Sequence, residues 1–257
     1  LKGSFMLPVE LWENEDFNVD LQIENAGETA VAAGDLNVYL GGISLSTYGV
    51  DETWTGEHYK YFPNSDLIWA DNRNELYAIL EEGNTIIPGG LEDVTFGSDV
   101  ASLHVPAGQK DIDLTLEATM CYPYKTTGVA QVCVGNIEPG EEYVCESNED
   151  KVIDSSRAPI KITKVYQAGA GTSQTFTIYF ENQDDGIAYV EEFAEDDTTN
   201  CVTGLEKSKK NKVNVKKVTL GNDQELTCTG EVSLAAGRVV CYCNSGLCAK
   251  AAVSEAP

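Results

Sequence analysis

The chain is short of positive charge, of histidine and of long apolar runs, and each shortage removes a class of function. Lysine and arginine number 17 against 42 acidic residues, which leaves a net charge of −25. A chain this acidic is repelled by phosphate backbones, so nucleic acid is not an expected partner. The two histidines, His58 and His104, do not sit at ligand spacing from any cysteine, and no CxxC…CxxC pair is present. A structural zinc or haem site is therefore not expected. No apolar run reaches the length that spans a bilayer. The Asn-x-Ser/Thr acceptor pattern is absent, which fits a prokaryotic source better than a secreted eukaryotic one. A GxSxG elbow, an HExxH motif and a phosphate-cradling glycine loop are all missing. A paired-carboxylate glycosidase would suit so acidic a chain, but nothing positions such a pair. The expectation is a protein that is not an enzyme.

What the 257 residues do contain is period-two alternation. Phe17-Asn-Val-Asp-Leu-Gln-Ile-Glu-Asn25 puts Phe17, Val19, Leu21 and Ile23 on one face and polar residues on the other. That is the pattern of a half-buried antiparallel strand, and Asn25-Ala-Gly27 ends it as a turn. The phrase returns as Phe176-Thr-Ile-Tyr-Phe-Glu-Asn182, followed by a turn at Gly186, which reads as an internal repeat. Further strands are predicted at 36–40, 111–116, 129–134, 142–145, 160–165, 212–216, 226–229 and 239–242. A short helix is predicted over Asn72–Glu82, capped by Asp71 and stopped by Gly83. The polar stretch from Glu146 to Arg157 is the expected boundary. The predicted architecture is all-β: two tandem immunoglobulin-like antiparallel β-sandwich domains, 1–150 and 151–257. The first carries an N-terminal strand and an aromatic insert (51–90) with the short helix.

The segment from Phe17 to Ala30 resembles the first half of CARDB-like and related immunoglobulin-like adhesion modules of prokaryotic surface proteins. Cys121-Tyr-Pro-Tyr-Lys-Thr-Thr-Gly-Val-Ala-Gln-Val-Cys133, then Val-Cys145 and Ala158-Pro-Ile-Lys-Ile-Thr-Lys164, resembles a family of uncharacterised secreted archaeal proteins. The resemblance implies a cell-surface protein and brings no activity with it. The insert lies outside the shared pattern and inherits no role.

Eight cysteines without a zinc pattern indicate oxidation and an extracellular or cell-surface location. The chain opens on Leu1 rather than Met, as a processed mature chain would. Cys121, Cys133 and Cys145 precede the expected boundary, and Cys201, Cys228, Cys241, Cys243 and Cys248 follow it. Odd counts on both sides require a free thiol in each or one bond across the linker. Cys133 can meet Cys145 or Cys121, Cys243 can close on Cys248, and Cys228 can meet Cys201 or Cys241. A catalytic thiol is the rival use, but no histidine lies near enough in sequence to partner one.

Three surfaces are candidates for function. Phe5, Leu7, Val9 and Leu11 alternate along the N-terminus, either as the first strand of domain one or as a donor strand for a neighbouring subunit. Lys207, Lys209, Lys210, Lys212, Lys216 and Lys217 supply six of the 17 basic residues. They either protect an edge strand or dock on an acidic face of another copy. Trp54, His58, Tyr59, Tyr61, Phe62, Trp69 and Tyr77 form a glycan platform, a subunit interface or a local core. Acidic loops at Asp184-Asp185 and Glu191–Asp197 either hold Ca²⁺ or are simply solvated, and they lack EF-hand spacing. No other cofactor is expected. The predicted function is a structural subunit of an extracellular filament, sheath or surface layer, with copies of itself as partner. The alternative is a monomeric adhesin that binds cell-surface glycans or divalent cations.

Overall fold

A computed structural model describes residues 1–6, 12, 16–51, 55–56, 58–82, 85–102, 104–108, 113–134, 148–170, 173–190, 201–202, 206–221, 224–228 and 231–243. Their secondary structure is strand and turn, with one 3-10 turn at Leu45–Tyr48 and no α-helix. No helix among them is long and apolar enough to cross a membrane. The chain divides into two compact units: Leu1–Lys125 with Phe193–Leu205, and Thr126–Glu192 with Glu206–Pro257. The first break thus falls at Lys125/Thr126, ahead of the polar stretch 146–157, because residues 128–130 pair with 153–155 of the second unit.

Among the described residues the first unit has nine strands: β1 (Lys2–Met6), β2 (Asp16–Glu24), β3 (Asn37–Gly41), β4 (Tyr59–Phe62), β5 (Leu67–Asp71), β6 (Leu80–Glu82), β7 (Thr85–Ile87), β8 (Leu91–Ser102) and β9 (Glu117–Cys121). They form antiparallel sheets in the orders β1-β2-β8 and β4-β5-β3-β9, and a separate hairpin β6-β7. The alternation in β2 works as predicted. Val19, Leu21 and Ile23 are buried, and Asp20, Gln22 and Glu24 are not. They meet Val94 and Phe96 of β8 and Val38, Leu40, Tyr61, Ile68 and Ala70 of the four-stranded sheet in one core. Two sheets that share one apolar interior make a sandwich.

The insert is not peripheral. Its strands β4 and β5 are half of the four-stranded sheet. A turn at residues 63–66 joins them, with Asp66 in the left-handed region (φ 52°), where its carboxylate accepts from the Tyr61 hydroxyl (2.7 Å) and the Ser46 N–H (3.0 Å).

The predicted helix over 72–82 is absent, and the polar partners of that segment explain why. The Glu92 carboxylate accepts the Arg73 and Asn74 N–H groups. Leu76 exchanges both main-chain bonds with Val31, and the Ile79 N–H donates to Gly27. Backbone groups that an α-helix would have paired internally are paired outward, so the segment is extended and ends in β6. Asp71, the expected cap, instead bonds His58 Nδ1 (2.8 Å). The strand predicted at 111–116 is also missing where described: 113–116 is irregular and β9 begins at Glu117.

Among the described residues the second unit has eleven strands: β10 (Gly128–Ala130), β11 (Asp150–Lys151), β12 (Ile153–Ser155), β13 (Ile160–Ala170), β14 (Ser173–Asn182), β15 (Lys212–Asn214), β16 (Thr219–Leu220), β17 (Gln224–Glu225), β18 (Thr227–Cys228), β19 (Glu231–Ser233) and β20 (Arg238–Cys243). Its main sheet runs β11-β13-β14-β20-β18, with two-stranded ribbons β10-β12, β15-β19 and β16-β17. The sheet buries Val165, Phe176, Phe180, Val239 and Cys241. Gln167, also buried, spends its amide on the main chain of Cys133 and on the Gln174 side chain.

Candidate assembly surfaces

The cysteine pairing resolves part of the arithmetic. Cys121 bonds Cys201, so it is unavailable to Cys133. This is the cross-linker bond that the odd counts allowed, and it joins Cys201 to the end of β9 in the first unit. Cys201 is thereby withdrawn from Cys228, which bonds Cys241 directly opposite it on β18 and β20. Cys133 and Cys243 are disulfide-bonded as well. No described cysteine is free. Cys145 and Cys248 lie outside the described residues.

The repeated Glu-Asn phrase is one hydrogen-bond motif used twice. Asn25 Oδ1 accepts from the N–H two residues on, Gly27 (3.0 Å), and its Nδ2 donates to the carbonyl four residues on, Thr29 (2.9 Å). Asn182 does the same with Asp184 N–H (3.3 Å) and the Gly186 carbonyl (2.7 Å). Each is an Asx turn that closes the loop leaving a strand, which is why asparagine follows the alternation in both places.

At the N-terminus, β1 pairs with β2 of its own sheet, from Lys2 opposite Glu24 to Met6 opposite Asp20. Phe5 packs on the core and Met6 is exposed. The first part of the alternating stretch is therefore a strand of its own unit. Leu7, Val9 and Leu11 lie outside the described residues.

The aromatics separate into two groups. Tyr61 belongs to the core, while Phe62 and Trp69 are buried, and the Trp69 indole N–H donates to Asn37 Oδ1 (2.8 Å). Buried rings cannot stack on a sugar, so these three are not a glycan platform. Burial, with help from the Asp66 carboxylate, pushes the Tyr61 phenol up to about 12. Tyr124 is likewise pushed up to about 12, by burial and then by Tyr122. Tyr59 is half-buried on β4 and Tyr77 is exposed. Trp54 lies outside the described residues.

The lysines line one stretch of the second unit. Lys207 and Lys209 lie in the turn before β15, and Lys210 bridges to Tyr189. Lys212 opens β15, and Lys216 and Lys217 lie exposed between β15 and β16. Lys207, Lys209, Lys210, Lys216 and Lys217 make no ion pair among the described residues. Sequence alone found this cluster, since it stands out against 22 acids and only Lys2, Lys60, Arg73 and Lys110 in the first 124 residues.

Of the acidic loops, Asp184 and Asp185 are exposed in the Asn182 turn, and Glu191–Asp197 lie outside the described residues. No three His, Cys, Asp or Glu side chains among the described residues are grouped to hold a metal ion. No protein-family model matches the chain, and no curated protein or solved structure is significantly similar to it.

Proposed function

We propose that this chain is a structural subunit of an extracellular filament, sheath or surface layer. In this reading it has no enzymatic role, consists of two immunoglobulin-like sandwich modules, and joins copy to copy by charge-matched head-to-tail contact. The observation that carries the reading is the cluster of Lys207, Lys209, Lys210, Lys216 and Lys217, in no ion pair among the described residues, in a chain whose first 124 residues carry 22 acids and four basic residues. The basic patch of one copy is complementary in charge to the acidic first unit of the next. A heterologous contact of this kind propagates when it does not close. The disulfides support an oxidising, external compartment. Pairing of β1 within its own sheet favours charge docking over strand donation. Burial of Tyr61, Phe62 and Trp69 weighs against the glycan-binding adhesin.

Analytical ultracentrifugation and electron microscopy of the purified chain across ionic strength test the reading. Assemblies should form at low salt and dissolve toward 1 M, where the screening length falls from about 10 Å at 0.1 M to about 3 Å. Deleting residues 1–6 should leave assembly in place. A monomer at every salt concentration would remove the proposal, and salt-insensitive polymers that require residues 1–6 would return it to strand donation.

A further inference from the structure

The acidic face needs a defined contact point, and the β6-β7 hairpin has the right chemistry. All six of its strand residues are exposed, among them Leu80, Ile86 and Ile87. Tyr77 (65% exposed) and Leu91 (61%) extend the patch at its base, where the Gly90 N–H bonds the Tyr77 carbonyl. None of the five belongs to the core cluster of the first unit. A two-stranded hairpin has little stability of its own, and a cluster of exposed apolar side chains marks a contact surface. The hairpin carries the exposed carboxylates Glu81 and Glu82, Glu75 lies exposed before it, and no lysine or arginine occurs from 74 to 109. Leu80 and Ile87 pair at its base, and Glu82 pairs with Thr85 toward its turn, so exposed apolar and acidic side chains adjoin.

The complementary surface is on the second unit. The Asn211 N–H donates to the Ala188 carbonyl (2.7 Å), and Tyr189 bridges Lys210, so the strip 187–189 runs beside the lysines. At the head of that strip Ile187 is 53% exposed. An exposed apolar side chain beside a lysine-rich stretch is complementary in charge to exposed apolar side chains beside glutamates. The geometry points to a second copy of this chain as the occupant: the β6-β7 hairpin of one copy docks on the lysine segment beside Ile187 of the next. The inference rests on the assembly reading above and names its two contact surfaces.

Two charge-reversed full-length chains test it: E81K/E82K, and K209E/K210E. Each alone should need at least about tenfold more protein to assemble than the unmodified chain, measured by sedimentation at low salt. Mixed in equal amounts, they should co-assemble near the unmodified concentration. Each reversed hairpin then meets a reversed lysine segment, and each normal hairpin meets a normal one. Co-assembly also certifies that both variants are folded. If E81K/E82K assembles alone like the unmodified chain, or if the mixture stays as weak as its parts, the hairpin is not the contact, although assembly itself stands. If the unmodified chain never assembles, both the contact and the assembly reading are overturned.

Discussion

Asn25 and Asn182 close the same turn with the same atoms, yet the two units use that turn differently. Asn25 is buried, and its Nδ2 makes a further bond to the Leu76 carbonyl (3.0 Å). Its N–H donates to the Gly90 carbonyl. A Cβ on Gly89 would collide with the Asn25 carbonyl, so glycine permits this close approach. In the first unit the turn is thus a hub that draws the segment 72–92 onto the end of β2. Asn182 is half-buried, and among the described residues its side chain bonds within its own loop while its main chain stays in the β13-β14 pairing opposite Ile160. The same sequence phrase is a tertiary joint in one unit and a local stop in the other, and neighbours far along the chain decide which.

The disulfides repeat the contrast at larger scale and give its strongest test. Cys121–Cys201 closes 80 residues of separation and Cys228–Cys241 closes 13. The loop-entropy model assigns about 4.5 kcal/mol to the first and about 3 kcal/mol to the second. C121S/C201S should therefore destabilise the chain more than C228S/C241S, by about 1.5 kcal/mol in urea unfolding. Trp12, Trp54 and Trp69, the three tryptophans, all belong to the first unit, so their fluorescence follows that unit and circular dichroism follows both. Equal losses from the two double variants would mean that loop length does not separate the units.

Alanine at the two asparagines is the next step down. Asn25→Ala removes the side-chain partner of the Gly27 N–H and of the Thr29 carbonyl and one of the two donors to the Leu76 carbonyl, which keeps the Val31 N–H, at a cost of about 2 kcal/mol. Asn182→Ala exposes its groups to water and should cost about 0.5–1 kcal/mol. The tryptophan transition should move with the first substitution. Comparable losses at both sites would break the distinction between joint and stop.

How much of this was legible in sequence follows from how local each signal is. The alternation of β2 and β14 and the Asx turns depend on neighbours within four residues, so pattern alone located them. The lysine cluster was legible for the same reason, as a matter of composition. The extended run 72–79 was not. Leu76, Ile79 and Leu80 have helical spacing, and what overrides it is Glu92, Val31 and Gly27, far away along the chain. For Trp69 and Phe62 the sequence left glycan platform, subunit interface and local core open, because the insert lies outside the shared pattern. They are buried because β4 and β5 pair into the sheet with β3. Nor could spacing choose Cys201 for Cys121, since the two are 80 residues apart and meet only through the tertiary fold.

The smallest effect concerns the phenols of the first unit. Tyr61 is held protonated first by burial and then by its bond to Asp66, and Tyr124 by burial, each up to about 12. In the unfolded chain a tyrosine ionises near pH 10. Between about pH 10 and about pH 12 the unfolded state has lost protons that the folded state keeps. The stability these phenols confer is complete below pH 10 and drains away as pH rises through 12. At neutral pH, Tyr61→Phe should cost about 1 kcal/mol for the lost hydrogen bond to Asp66. Above pH 10 that penalty should shrink, because the phenylalanine chain has no proton to lose at this site. Tryptophan-monitored urea midpoints at pH 8 and pH 11 measure the crossover. A penalty that grows with pH would mean that the folded chain holds the Tyr61 phenol below its ordinary value, against both burial and the Asp66 carboxylate.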